Sequence, residues 1–544
     1  MNYVQVIIKY KNDTMKRLIL ILTLIGIMTN TYSQSTLLWS KDFTTGLNNY
    51  YSEYPTIKTV GDTIKVIGRK NTANGQRLLI VKYDLLGDTI STKTFGSDSV
   101  SNNSIIDYKF DTTNHVYILH KEQLGFYKSK IVLQKYSLDG NLIWVEQIQN
   151  PADTSYTPRS LGLANDTCLF ITAYKEYDYP VPGDDVIYTT TLSQLYTFNS
   201  NGTQLWQREF NSTTEINWFA YDIFVHNNTA YLFANNTLFN NLLVKVDINN
   251  NLTINTNTGI LNGINDVQLT PDNNLIITPW TSYRISKVNL SGSLIWTQQY
   301  GTNLPSSDEM RATIQDSAGN IYITGRHYGL NYGTPSYTNA DILTLKYNSN
   351  GNLIWQNRYE YEVNNADCGN TIILKNGQIY VGGNSQRLGV GTDYDYVVLK
   401  IDSATGLSTG VYRYEGLANG DDAVSSLYVF DNGNVALTGL SYINSQYDWT
   451  TQLLSDVVLS VQNISLENNF LIYPNPTLSG EILTIVGDNI KSFSIISAIG
   501  QVVQQGTLGT NDLHTIQLDN VISGLYLLYL KTGNGIIIRK LIVK

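Results

Sequence analysis

Carboxylates and aromatic rings alternate through the stretch from Asp308 to Trp449. Asp308, Glu309, Asp341, Asp367, Asp393, Asp395, Asp421, Asp422 and Asp448 are interleaved with Tyr328, Tyr332, Tyr337, Tyr394, Tyr442, Tyr447 and Trp449. Acids beside aromatic faces are suited to sugars, and grouped oxygen ligands are suited to Ca²⁺. Two carboxylates at a fixed separation could also act as acid and base on a glycosidic bond. The simpler use of the same residues is local, because an Asp side chain caps a turn by accepting from nearby backbone N–H groups. From sequence alone both uses stand. The ligand-face candidates are Asp308, Asp341, Asp367, Asp393, Asp395, Asp421, Asp422, Asp448, Tyr394 and Trp449. No residue is assigned as catalytic or as a metal ligand, and Ca²⁺ is the one cofactor this chemistry suggests.

Other chemistry is poorly represented. There is no G-x-S-x-G, H-E-x-x-H or phosphate-binding loop pattern. The five histidines, His115, His120, His226, His327 and His514, are scattered rather than spaced as ligands. The two cysteines, Cys168 and Cys368, fall in distant repeats and are not expected to pair. A formal charge of −9 argues against a nucleic-acid surface.

The elements that position the acids form a repeat. Ile342–Tyr359 (ILTLKYNSNGNLIWQNRY) reads as two strands joined by an Asn-Ser-Asn-Gly turn, the Gly supplying a positive φ. Related hairpins occur at Ile131–Ile148, Leu192–Phe210 and Tyr283–Tyr300. Weaker ones occur at Leu79–Phe95, Leu242–Asn257 and Tyr396–Tyr414. A second hairpin precedes each, as in Met310–Gly325 (MRATIQDSAGNIYITG). Each unit is therefore four short strands over roughly 50 residues, the period of a propeller blade.

The count predicts eight blades, with seven as the alternative. The eighth unit lacks its Trp-bearing strand, and Leu37–Phe43 (LLWSKDF) is a spare copy at the other end of the chain. The expectation is that this strand completes the last blade and removes a free edge. The repeated Trp residues are expected to pack between blades. The acids and aromatics above fall on loops at one rim, joined there by a long loop at Glu176–Tyr188 carrying Tyr177, Tyr179 and Asp184.

Both ends of the chain read differently. Lys16 and Arg17 precede the apolar run Leu18–Met28 and the small residues Thr31-Tyr32-Ser33. That is the pattern of a signal peptide over residues 1–33, starting at Met15 and cleaved before Gln34. No other membrane-spanning segment is expected. Residues 34–454 read as the propeller and 455–469 as a polar linker. Residues 470–544 read as a small Ig-like β-sandwich with strands at Leu483–Val486, Ser492–Ile496, Gln501–Gln505, His514–Leu518, Leu525–Leu530 and Ile536–Val543.

Two resemblances rest on these residues. D-x-x-G-N-x-Y-x-T-G followed by L-K-Y-N-x-x-G-N-L-I-W resembles the secreted propeller repeats of Bacteroidetes-type bacteria, and its outer hairpin resembles the tryptophan-docking repeat of quinoprotein propellers. The C-terminal segment resembles the type A sorting domain of type IX secretion cargo. Its matching residues are Tyr473-Pro474-Asn475-Pro476, Ile499-Gly500-Gln501-Val502-Val503, Gly524-Leu525-Tyr526 and Arg539-Lys540-Leu541-Ile542-Val543-Lys544. The second resemblance implies passage through the periplasm, handling by the type IX machinery, and display on the cell surface or release. The function expected is an exported binding or adhesion module, with surface polysaccharide or glycan as its partner. The alternative is an extracellular glycan-acting enzyme using the rim carboxylates.

Overall fold

The computed structural model describes residues 37–47, 54–73, 75–96, 103–125, 128–148, 154–180, 187–210, 219–235, 241–255, 264–279, 283–301, 308–328, 340–361, 366–386, 393–414, 420–443, 446–455, 471–487, 490–497, 502–509, 513–518, 521–532 and 536–544. The expected signal peptide, nearly all of the linker, Tyr332, Tyr337 and Asp184 lie outside them. Contacts divide the chain into Met1–Val461 and Gln462–Lys544. Every regular element described is a β-strand, and no described helix is long and apolar enough to cross a membrane.

The first unit contains eight groups of four antiparallel strands, spanning Thr56–Phe95, Asn103–Ile148, Thr154–Phe210, Phe219–Asn255, Ile264–Gln299, Glu309–Tyr359, Asp367–Tyr414 and Ala423–Leu454. These are units one to eight below. The sheets of units one and two are joined by a single parallel pairing, Gly75 with Asn103, and the two units share a buried cluster that includes Ile67, Leu78, Ile105 and Ile118. Unit eight has three strands of its own, and Leu37–Leu47 is the fourth. It runs antiparallel to Gln446–Leu454, with Leu37 opposite Leu454 and Phe43 opposite Trp449.

Strand alternation decides which residues leave water. In unit six the third strand is buried along nearly its whole length, whereas Leu353 and Ile354 on the fourth strand stay exposed. The first strand of each unit from two to seven lies against that of the following unit, and that of unit eight lies against that of unit one. One apolar cluster joins Ile64, Val66, Leu79 and Val81 of unit one to Ala436, Leu440, Trp449 and Leu453 of unit eight, with Trp39 and Phe43 packed on it.

The repeated tryptophans bind consecutive units together. The indole N–H of Trp144 donates to Ser200 O at 3.1 Å, Trp206 to Ile248 O at 2.8 Å, Trp296 to Ser349 O at 3.3 Å and Trp355 to Ser403 O at 3.0 Å. Each acceptor is in the turn between the third and fourth strands of the next unit. Trp39, on the N-terminal strand, makes the same bond to Leu85 O of unit one at 3.0 Å. The third-strand lysines reinforce the arrangement: Lys346 Nζ donates to Ser403 O at 2.8 Å while lying over the Tyr322 ring. Gly351 shows why the turn needs glycine. Its φ is +84°, and a Cβ there would come within 3.0 Å of the Trp296 ring.

The second unit carries a three-stranded sheet, Leu471–Tyr473, Ile482–Val486 and Leu513–Gln517, and a four-stranded sheet ordered Val502–Thr507, Ile490–Ser497, Gly524–Thr532 and Ile536–Val543. Leu483, Ile485, Ile495, Ile516, Leu528 and Leu541 fill its core. The Tyr473-Pro474-Asn475-Pro476 segment is tied to the last strand: Asn475 Oδ1 accepts from Ile542 N at 3.0 Å, and Lys544 N donates to Thr477 O at 2.8 Å.

Two expectations are corrected here. Of the long loop expected at Glu176–Tyr188, residues 176–180 and 187–188 are strand, because Cys168–Pro180 and Ile187–Asn199 pair along their lengths, and residues 181–186 lie outside the described residues. Their Thr and Tyr content favours the pleated surface. Cys368, which the sequence places on the loop entering unit seven, lies inside the strand Asp367–Lys375; both cysteines are buried and free.

Candidate functional site

The end of the sheets opposite the tryptophans carries most of the sequence-selected acids. The backbone register aligns them into equivalent positions. Each first strand from unit two to unit eight has a bulge, between Met310 and Ala312 in unit six, Gly369 and Thr371 in unit seven and Val424 and Ser426 in unit eight. Counting back from it makes Asp308, Asp367 and Asp422 equivalent. On the second strand the equivalents are His327, Ser385 and Ser441. On the third they are Asp341, Asp395 and Asp448, paired respectively with those three. On the fourth, Arg358 and Arg413 correspond. Asp42 of the N-terminal strand, opposite Thr450, takes that place in unit eight.

In unit six His327 Nδ1 meets Asp308 Oδ2 at 2.9 Å, and Asp308 Oδ1 accepts from Tyr328 N at 2.8 Å. Arg358 pairs with Asp341, which is buried, and burial raises the Asp341 carboxyl above its ordinary range. Tyr283 and Tyr300 of unit five stand against His327, ring centres 5.9 and 5.6 Å away.

In unit seven Arg413 binds Asp395 at 3.0 Å and Ser385, with its guanidinium 3.6 Å from the Tyr361 ring centre. Asp367 is fully buried and accepts from Tyr361 N at 3.1 Å, while its other carboxyl oxygen has no partner. Burial pushes this carboxyl up to about 6.

In unit eight Asp422 accepts from Tyr442 N at 3.2 Å, Gln446 bonds Asp448 at 3.1 Å, and Ser441 reaches the Tyr396 hydroxyl of unit seven at 3.3 Å. Asp421 accepts from Tyr394 N at 3.3 Å. Its carboxyl is raised by burial, with the neighbouring Asp393 adding to the effect.

The structure therefore brings Asp308, Asp341, Asp367, Asp393, Asp395, Asp421, Asp422, Asp448 and Tyr394 to one end of three adjacent units. It changes their expected setting. Asp341, Asp367, Asp395 and Asp448 lie inside strands and are buried, so they form cross-strand polar ladders rather than solvent-facing loop groups. Turn capping by Asp occurs at the other end, where Asp316 Oδ1 accepts from Ala318 N at 3.0 Å and Asn320 N at 2.9 Å.

Trp449 is corrected outright. It is 1% exposed, on the sheet face against Gly68 and Phe43, and so is core rather than ligand face. Units two and three fill the same ladder with other residues, Glu122 with Lys130 at 3.1 Å and Lys175 with Glu209 at 3.0 Å. The level is thus polar in many units, while the Asp–His–Arg composition belongs to unit six.

Sequence reasoning missed His327 and Arg326. His327 was set aside because histidines far apart in sequence gave no ligand spacing, yet its partner is only 19 residues away across a hairpin. Arg326 stands directly opposite Glu309 on the first two strands of unit six. Nothing in the repeat pattern marks it.

Among solved structures the chain is similar to virginiamycin B lyase from Staphylococcus aureus, at 11% identity over 63% of this chain and 95% of that one, TM-score 0.36. It is similar also to the polysaccharide lyase Uly1, at 9% identity over 78% and 98%, TM-score 0.34. A third is prolyl oligopeptidase B from Galerina marginata, at 10% over 79% and 60%, TM-score 0.40. Likeness at this level says nothing about activity. No curated protein matches the chain. Residues 471–544 match the secretion system C-terminal sorting domain family, so the chain carries at its C-terminal end a sorting domain for secretion through the type IX system.

Proposed function

We propose that residues 34–454 are a closed eight-bladed propeller, exported behind a signal peptide of residues 1–33 and sorted by residues 470–544, that binds extracellular glycan at the cell surface or after release. The observation that carries the binding reading is the contrast between Tyr361 and the acids behind it. Tyr361 is 43% exposed and backed by Arg413, which is itself fixed by Asp395 and Ser385. An aromatic face open to solvent, held rigid by a charged network, is the arrangement that sugar recognition needs. Closure rests on Trp39, whose bond to unit one repeats the bond made at four other junctions.

The hydrolytic alternative asks for two carboxylates open to substrate. Asp341 and Asp395 are buried and committed to arginines, and Asp367 is buried against Tyr361 N. These acids serve the scaffold of the site. The test is a glycan array probed with the chain lacking residues 1–33. Binding to a defined glycan set, lost on Tyr361→Ala with the melting temperature unchanged, is the expected result. An array without signal for the unaltered protein would refute the reading.

A further inference from the structure

We infer that Arg326, with the hydroxyls of Tyr328 and Tyr394, seats an anionic group, a carboxylate or sulfate, of the glycan. This deepens the proposed function and rests on it for the identity of the ligand.

Two guanidiniums, Arg311 and Arg326, share one end of the junction between units six and seven. Both act on Cys368, at the start of the first strand of unit seven, which is buried. Glu309 is directly opposite Arg326 in the strand pairing, but its carboxylate is taken by Arg311. The groups facing Arg326 are Glu309, Arg311, Tyr328, Cys368 and Tyr394. Burial raises the Cys368 thiol and both tyrosine hydroxyls, so these three are neutral near pH 7. Among these groups two positive charges meet one negative charge, with the Asp421 carboxylate beyond them on the far side of Tyr394.

The hydrogen-bonding capacity of the Arg326 guanidinium is only partly used within the chain. Arg326 reaches Tyr328 Oη at 3.5 Å and lies against the neutral Cys368 thiol, and its Nε is buried without a hydrogen-bond partner. It has no carboxylate partner among the described residues. A half-buried guanidinium costs solvation unless an anion completes it, and its planar fork suits carboxylate or sulfate oxygens. The tyrosine hydroxyls can donate to the same oxygens. In a chain of net charge −9, a local positive surplus of this kind selects for an acidic ligand against the general field.

The experiment compares the unaltered protein with Arg326→Gln, using Lys41→Gln as a charge-matched control on the N-terminal strand. Inorganic sulfate should raise the melting temperature of the unaltered protein and of the control, and should leave Arg326→Gln unmoved. Dextran sulfate or alginate should bind the unaltered protein, with affinity falling about tenfold or more in Arg326→Gln, and neutral dextran should bind weakly to all three. If Arg326→Gln responds like the control to sulfate and to both acidic polymers, the seat is overturned while glycan binding stands. A sulfate shift that depends on Arg326, in a protein that binds no polysaccharide at all, would keep the seat and overturn the glycan reading.

Discussion

The two ends of each sheet solve the same problem in opposite ways. At the tryptophan end, one contact joins consecutive units: an indole N–H and, in several units, a lysine ammonium converge on the turn of the next unit. At the other end the ladder level is kept but its residues change, from Glu122 and Lys130 in unit two to Asp308, His327, Asp341 and Arg358 in unit six. A contact that repeats unchanged fixes spacing between units. A level whose occupants differ can give each junction its own charge and shape, and a binding site can arise there without disturbing the array.

The largest test of this contrast is removal of the N-terminal strand. Deleting Leu37–Leu47 strips a full ladder from Gln446–Leu454 and takes Phe43 off the Trp449 ring, which also packs on Gly68 and is 1% exposed in the intact protein. It also removes the Trp39 bond to unit one. Losses of this kind should reach several kcal/mol, since removing one packed aromatic side chain such as Trp39 or Phe43 alone costs about 3–5. Differential scanning calorimetry should show the whole propeller melting earlier in one transition. An unchanged melting temperature would mean that the strand is dispensable, and would overturn the proposed ring closure.

A smaller effect is expected at the variable end. Asp367 is held above its ordinary range, so the folded state binds its proton more tightly than the unfolded chain does. Stability from this group is therefore greatest below pH about 4 and is lost as pH rises through about 6. Asp367→Asn removes the ionisation. It should stabilise by up to about 3 kcal/mol at pH 7 and by little at pH 4, read from urea midpoints at both values. A gain independent of pH would show that Asp367 does not titrate as its burial implies.

How much was legible in sequence follows the same division. The turn Asn348-Ser349-Asn350-Gly351 and the tryptophan spacing identify the strands because local chemistry repeats with a fixed period. The pairing of the N-terminal strand with the last unit was readable because Leu38 and Trp39 copy Ile354 and Trp355. In the second unit, each expected sandwich strand is present within a residue or two, preceded by the additional strand Leu471–Tyr473. The acids were found as a set because they sit at strand ends, where repeat alignment carries them to one rim. Their burial was not legible. Whether Asp341 faces water depends on Arg358 across a neighbouring strand and on the packing of the preceding unit, and a one-residue register difference reverses every face. Trp449 failed for that reason: in a strand buried on both faces, alternation carries no inside–outside signal.

The smallest expected effect compares the junction of units eight and one with another one. Trp39→Phe and Trp206→Phe each delete an indole N–H while keeping an aromatic ring on the next turn. The bonds lost are 3.0 Å to Leu85 O and 2.8 Å to Ile248 O. A part-buried neutral hydrogen bond contributes about 1 kcal/mol, and the smaller ring gives up some contact as well. If unit eight meets unit one as unit three meets unit four, the two variants should lose the same amount, within about 0.5 kcal/mol, in urea titrations run side by side. The Gly87 backbone, which lies against the Trp39 ring, should then tolerate the phenyl group as the turn of unit four does. A cost confined to Trp206→Phe would mean that Trp39 rests at the seam without bearing on it, and the junction of units eight and one would be a looser contact than the four it resembles.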